Sequence, residues 1–190
     1  MTASPTLVAV SGNVRTPSRT ASLVRLIQAE VESRLGTTGS FIEAVKAAPP
    51  LMAAMTRDDV GPSGSAVIRR IESADVLVIG SPIYRASYTG ALKHVFDLVH
   101  NQSLIGSVAI IAATGGTPLH GLAVEHQFRP LLSYFGIVAA ATTIYALESD
   151  FVGFELTSDA IRDRIARAAD EAALLARSGL RQRRAAAAAA

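Results

Sequence analysis

The chain contains no cysteine and no tryptophan. Disulfides, thiolate nucleophiles and Cys-ligated zinc or iron–sulfur centres are excluded by that absence alone. Aromatic residues make up only 5% of the 190 residues while 49% are apolar, so the core must be built from aliphatic side chains and alanine. No apolar run reaches the roughly 18 residues that a membrane span requires. The opening segment MTASPTLVAV has no basic region ahead of its apolar residues, so no secretory leader is expected. A cytoplasmic location and no membrane partner are the expectations that go with it.

Charge is scarce in the body of the chain. The formal +2 includes four arginines within 177–184, leaving the remainder near neutral and without the basic footprint of a nucleic-acid partner. Residues 1–178 read as one domain. Residues 179–190 read as a basic, alanine-rich tail, either a helical extension or frayed and disordered.

Several catalytic signatures are missing as well. His94, His100, His120 and His126 form no i,i+4 pair and no H-E-x-x-H, so no metal site is expected. Ser81 is followed by Pro82 and no G-x-S-x-G elbow occurs, which removes a serine hydrolase. The adjacent carboxylates Asp58 and Asp59 read as a solvated turn.

What is present is an alternation of β-rich runs with helical periodicity. Residues 6–10 (TLVAV), 40–45 (SFIEAV), 75–80 (DVLVIG), 107–113 (SVAIIAA) and 137–145 (IVAAATTIY) predict strands. Helices are predicted over 18–35, 65–73, 89–100, 123–135 and 158–177. The segment 49–64 (PPLMAAMTRDDVGPSG) reads as the longest irregular connection. Crossovers of this length imply a three-layer α/β/α domain around a five-stranded parallel sheet.

In such sheets ligands bind beyond the carboxyl ends of the strands. The loops after strands one, three and four are SGNVRTPSRT (11–20), SPIYRASYTG (81–90) and ATGGTPLHG (113–121). The first ends at a helix amino terminus and carries Ser11, Arg15, Ser18, Arg19 and Thr20, a set suited to a phosphate. Alternatively, Ser18 is no more than the cap of the helix. The loop is neither a Walker A sequence nor a dinucleotide fingerprint. The second loop offers Pro82, Ile83 and Tyr84 as an apolar wall for a flat ring; plain packing or a subunit contact is the alternative for Tyr84 and Tyr88. The third offers the backbone of Thr114, Gly115, Gly116 and Thr117, or is simply a turn that needs positive φ.

In this order and spacing, SGNVRTPSRT, SPIYRASYTGALKHVFD and ATGGT resemble the NADPH-dependent FMN reductase family. The likeness runs over residues 6–175. Within that family the segment ATGGTPLHGLAVEHQFRPLL (113–132) is most similar to flavin reductases of two-component alkanesulfonate monooxygenase systems, particularly the methanesulfonate type. The resemblance implies a flavodoxin-like fold with strand order 2-1-3-4-5, FMN as cofactor and NADH or NADPH as electron donor. It implies FMN phosphate contacts from Ser11, Arg15, Ser18, Arg19 and Thr20, with Asn13 standing where relatives often have Pro. Pro82, Ile83 and Tyr84 then lie beside the isoalloxazine, Arg85 near its outer edge, and Thr114 to Thr117 at its pyrimidine side.

Relatives of this type carry an inserted residue in the fourth helix that forms a π-helical bulge at a tetramer interface. His126 holds that position here, and the resemblance implies that it modulates flavin turnover; otherwise it is a polar helix residue facing solvent. The activity implied is reduction of FMN for a partner monooxygenase in organosulfonate assimilation, by a homotetramer built as a dimer of dimers. No dedicated catalytic residue is nominated, because the flavin carries the chemistry. A quinone, azo or chromate reductase that retains FMN is the alternative enzyme. A flavodoxin-like electron carrier is the alternative outside enzymes, although such carriers are usually strongly acidic and this chain is not.

Overall fold

The computed structural model of the chain describes residues 4–188. Strand β1 (Leu7–Ser11) leads into helix α1 (Arg19–Leu35), strand β2 (Ser40–Glu43), helix α2 (Ala44–Leu51) and helix α3 (Pro62–Glu72). Strand β3 (Val76–Pro82), helix α4 (Gly90–Asp97) and strand β4 (Val108–Gly115) follow. A π-helix (Val124–Phe128) then runs into helix α5 (Arg129–Tyr134). The chain continues through strands β5 (Val138–Ala139), β6 (Ile144–Leu147), β7 (Phe151–Val152) and β8 (Glu155–Leu156) to helix α6 (Asp159–Ala188). The backbone of α6 runs on through residues 179–188, the segment read from the sequence as a helical extension or a frayed tail. No helix among the described residues is long and apolar enough to cross a membrane.

The parallel sheet has the order β2-β1-β3-β4-β5, with β6 also paired to β4. This is the flavodoxin-like order, with one change at the fifth position. There the sequence predicts a single strand over 137–145, and the structure interrupts it. Val138 pairs with Val108 and Ile144 with Ala112, so the fifth strand spends two more residues than β4 over the same distance. The surplus is held by side chains from elsewhere. Arg129 donates to the carbonyls of Ala140 and Ala141, Glu171 accepts from Thr142, and Arg164 donates to the carbonyl of Thr143.

Alternation along the strands divides the core into two layers. Val8, Val10, Leu77, Ile79, Ala109 and Ile111 face α2–α5, joined by Phe96, Phe128 and Leu132. Leu7, Ala9, Val76, Val78, Val108 and Ile110 face α1 and α6, where Leu23, Ile27, Ala168, Ala169 and Ala172 close over them. Both faces are covered, which is why these strands read as unbroken apolar runs.

Two further departures from the expected elements have local causes. Residues 44–51 are helical although Pro49 and Pro50 lie within them, because Ala44, Ala47 and Leu51 fall on one buried face. Helix α3 starts three residues earlier than periodicity predicts, with Pro62 in its first turn, where the missing N–H costs nothing.

Helix α1 crosses β3 closely enough to demand glycine. A Cβ on Gly80 would lie 2.3 Å from Cγ2 of Val24. Gly80→Ala is therefore expected to lower the unfolding free energy by about 1–3 kcal/mol in urea denaturation, the usual cost of overpacking. Adding Val24→Ala should recover part of that loss; if it deepens the loss instead, the contact is not the cause.

Candidate functional site

The three unusual loops meet. At the carboxyl ends of β1, β3 and β4 lies a cleft of about 240 Å³ whose lining includes Arg15, Ser18, Arg19, Thr20, Pro82, Ile83, Tyr84, Thr114, Gly115 and Gly116. Short hydrogen bonds fasten the tips to one another. Thr20 and Thr114 share a hydroxyl–hydroxyl bond of 2.6 Å across 94 residues of sequence. The amide of Ile83 donates to the Thr114 carbonyl at 2.8 Å. The buried Thr89 hydroxyl donates to the Gly12 carbonyl at 2.7 Å while accepting from the Leu92 amide as the cap of α4.

The first loop presents the amino end of α1. Ser18 caps the helix by accepting from the Ala21 amide, as the simpler sequence reading expects. That bond satisfies one first-turn donor and leaves the amides of Arg19 and Thr20 for another acceptor. Arg15 is exposed, and among the described residues its guanidinium has no ion-pair partner. Asn13 is buried; its amide nitrogen donates to the Arg15 carbonyl at 2.9 Å and to Glu43 at 3.3 Å. Burial pushes the Glu43 carboxyl up, but hydrogen bonds from Lys46 and Asn13 outweigh it and hold the group below the usual carboxylate range. Glu43 is thus an anion that braces the loop from behind.

The second loop folds back on itself: Tyr84 and Ser87 form a two-bond bridge around Arg85 and Ala86, whose φ angles are 53° and 65°. Tyr84 is thrown into the cleft lining, 48% exposed, while Arg85 is not part of the lining. Tyr88 packs edge-on against Phe128 at 5.1 Å, which is the packing alternative.

The third loop does not need glycine for positive φ. Gly115 is required because a Cβ there would lie 1.9 Å from the hydroxyl of Tyr145, which donates to the Thr117 carbonyl at 2.7 Å. A Cβ on Gly116 would meet nothing within 4 Å, so this residue leaves open space in the wall of the cleft.

Ser11 and Thr117 do not line the cleft. Ser11 is fully buried at the end of β1, and its hydroxyl has no hydrogen-bond partner among the described residues. Thr117 instead caps a short turn, accepting from Leu119. His126 lies in the π-helix and is exposed, apart from the cleft. Asp59 caps its own turn by accepting from the backbone and hydroxyl of Thr56. Among the described residues no group of three His, Cys, Asp or Glu is placed to hold a metal.

The far wall is the part that sequence reasoning missed. Leu147, Glu148, Phe151 and Phe154 complete the lining from the β7–β8 hairpin and the turn before it. Glu148 pairs with Arg19 at 2.6 Å. Arg19 also donates to the Gly153 carbonyl at 3.0 Å and lies over the Phe154 ring at 5.8 Å. The alternation F-V-G-F-E-L with glycine at its centre was the available signal for a hairpin. Strands of two residues fall below the length at which periodicity is normally read.

The site is open between its walls, and its residues fit a phosphorylated flat ring. The lining combines the Arg15 and Arg19 guanidinium groups at the amino end of α1, an apolar wall with Tyr84, and open backbone at Gly116. Comparison with known proteins bears on the same question. The model of the NADPH-dependent FMN reductase family matches residues 5–151. The chain is 41% identical to "NADH-dependent FMN reductase SfnF" of Pseudomonas fluorescens, covering 89% of this chain and 90% of that one. It is 42% identical to "FMN reductase (NADPH)" of Pseudomonas aeruginosa, covering 92% and 94%. An oxidoreductase from Corynebacterium diphtheriae superposes with a TM-score of 0.79 at 36% identity, over 92% of this chain and 97% of that structure. Match, identity and coverage agree: the chain belongs to the NADPH-dependent FMN reductase family.

Proposed function

We propose that this cleft binds FMN, and that the chain reduces it with NADH or NADPH and releases it to a partner monooxygenase. The observation that carries the binding assignment is the convergence of three distant loop tips on one cleft at the amino end of α1. Arg15, Ser18, Arg19 and the first-turn amides of α1 would hold the phosphate, where helix dipole and guanidinium charge add. Pro82, Ile83 and Tyr84 would flank the ring and keep water from one side of it. The open backbone at Gly116 would receive the polar edge of the heterocycle, with Thr114 and Gly115 beside it. Arg85 stands outside the lining and would act only at the rim, toward the nicotinamide donor.

Bound there, FMN supplies the redox chemistry by accepting hydride from the reduced nicotinamide. The protein's contribution would be positional: the backbone at Gly116 and the wall of Pro82, Ile83 and Tyr84 would orient the ring for hydride transfer. No side chain among the lining residues is needed as acid, base or nucleophile.

Two features support release of reduced flavin to a monooxygenase rather than its retention. The segment from Ala113 to Leu132 resembles reductases of alkanesulfonate systems, and close relatives bear the names SfnF and SfnE. The segment just before the π-helix presents Leu119 and Leu122, 86% and 65% exposed, an apolar surface suited to a subunit contact. We assign it to a homotetramer operating in the cytoplasm.

Arg15→Ala should raise the Kd for FMN about tenfold, the value of one charge-assisted contact, and leave that for riboflavin unchanged. Flavin fluorescence quenching reads both. An equal loss with the two ligands, or none with either, removes the phosphate assignment. Oxidation of NADH or NADPH should depend on added FMN in the same preparation.

Deletion of His126 should rewind the π-helix to an α-helix, slow flavin release in stopped-flow traces and yield a smaller oligomer on size-exclusion chromatography. Unchanged release together with unchanged elution would rule out a role for the π-helix in turnover.

A further inference from the structure

The pairing of Arg19 with Glu148 has a consequence for how tightly the phosphate is held. Arg19 is the first residue of α1, directly after its cap Ser18, and so stands at the one place in the cleft where backbone donors and helix dipole favour an anion. Its guanidinium is already committed. Nη1 meets the Glu148 carboxylate at 2.6 Å, Nε donates to the Gly153 carbonyl at 3.0 Å, and the Phe154 ring lies beneath it at 5.8 Å. All three partners belong to the hairpin wall, and Glu148, Phe154 and Arg19 all line the cleft.

We infer that Glu148 is a built-in competitor for the FMN phosphate: it holds Arg19 on the hairpin and sets the affinity of the site low enough for flavin to leave. This rests on the FMN reading of the cleft. A phosphate arriving at the end of α1 has two ways to gain from Arg19. It draws on the donors that Glu148 and the Gly153 carbonyl leave over, or it takes the guanidinium from both of them. Either route subtracts from the binding energy that an unpaired arginine would give. The exchange replaces one charge-assisted pair by another, so Arg19 is never left without a counter-ion. Glu148 is 65% exposed and Arg19 35%, which places the pair where water can take over the carboxylate once it is released. Arg15, with no ion-pair partner among the described residues, lacks such a brake. The two arginines of the loop therefore differ in kind: Arg15 is available at once, Arg19 at the expense of the hairpin contact.

Glu148 is on this account an affinity-determining residue and not a catalytic one. The test is FMN binding to the full chain by fluorescence quenching, with the release rate measured by stopped flow. Glu148→Gln, at an exposed position, should lower the Kd for FMN about three- to tenfold, the range for a partly exposed charge pair, chiefly through slower release. Riboflavin, which lacks the phosphate, should bind both forms equally. In an Arg19→Gln background the same Glu148→Gln change should have little effect, since the competition is for Arg19.

An unchanged or weakened affinity of Glu148→Gln overturns the inference. So does a gain that persists in the Arg19→Gln background, which would mark simple repulsion. Failure of the wild-type chain to show any saturable FMN signal would instead remove the FMN reading itself, and the two failures are thereby distinct.

Discussion

Two threonine hydroxyls set 94 positions apart meet at 2.6 Å, and the cleft depends on that closure. Thr20 sits in the first turn of α1 and Thr114 at the carboxyl end of β4, so their bond ties the helix amino terminus to the middle of the sheet. Thr114 also accepts from Ile83, and Thr89 reaches from the second loop to the carbonyl of Gly12. Three loops that would each be free to drift are thus locked at their roots. Their outer parts supply donors, an aromatic wall and bare backbone, and the roots supply the fixed distances between them. In a doubly covered parallel sheet the polar groups at these roots are buried, and the bonds of Thr20, Thr89 and Thr114 are what hold the tips in place.

How much of this was legible in the sequence differed by element, for physical reasons. Strands β1, β3 and β4 were plain because burial on both faces leaves uninterrupted apolar runs. The fifth strand was read as continuous, since nothing local in IVAAATTIY marks a break. The interruption is imposed by Arg129, Arg164 and Glu171, all remote in sequence. Helix α2 was hidden by Pro49 and Pro50, whose usual meaning was overruled by burial of Ala44, Ala47 and Leu51.

The cleft was legible in its three loops because their composition departs from that of ordinary turns. Its fourth side was not. The hairpin at Phe151–Leu156 is too short for a periodic signal, and the Arg19–Glu148 pair cannot be foreseen without the fold. The alternative reading of Gly115, a turn that needs positive φ, does not hold. The need for glycine there comes from the Tyr145 hydroxyl and not from a left-handed backbone. Ser11, Arg85 and Thr117, which the family resemblance implies at the phosphate, the outer ring edge and the pyrimidine side, fall outside the lining.

The turn at Arg85 and Ala86 carries a last implication. Both residues hold positive φ without being glycine, at a cost of about 1 kcal/mol or more each. Such a conformation persists only where the surroundings enforce it, here through the paired bonds between Tyr84 and Ser87. The backbone that carries Tyr84 is consequently set before any ligand arrives. The entropy of ordering that backbone was surrendered when the chain folded, so on the proposed reading of the cleft an incoming flavin would meet a segment it need not first arrest.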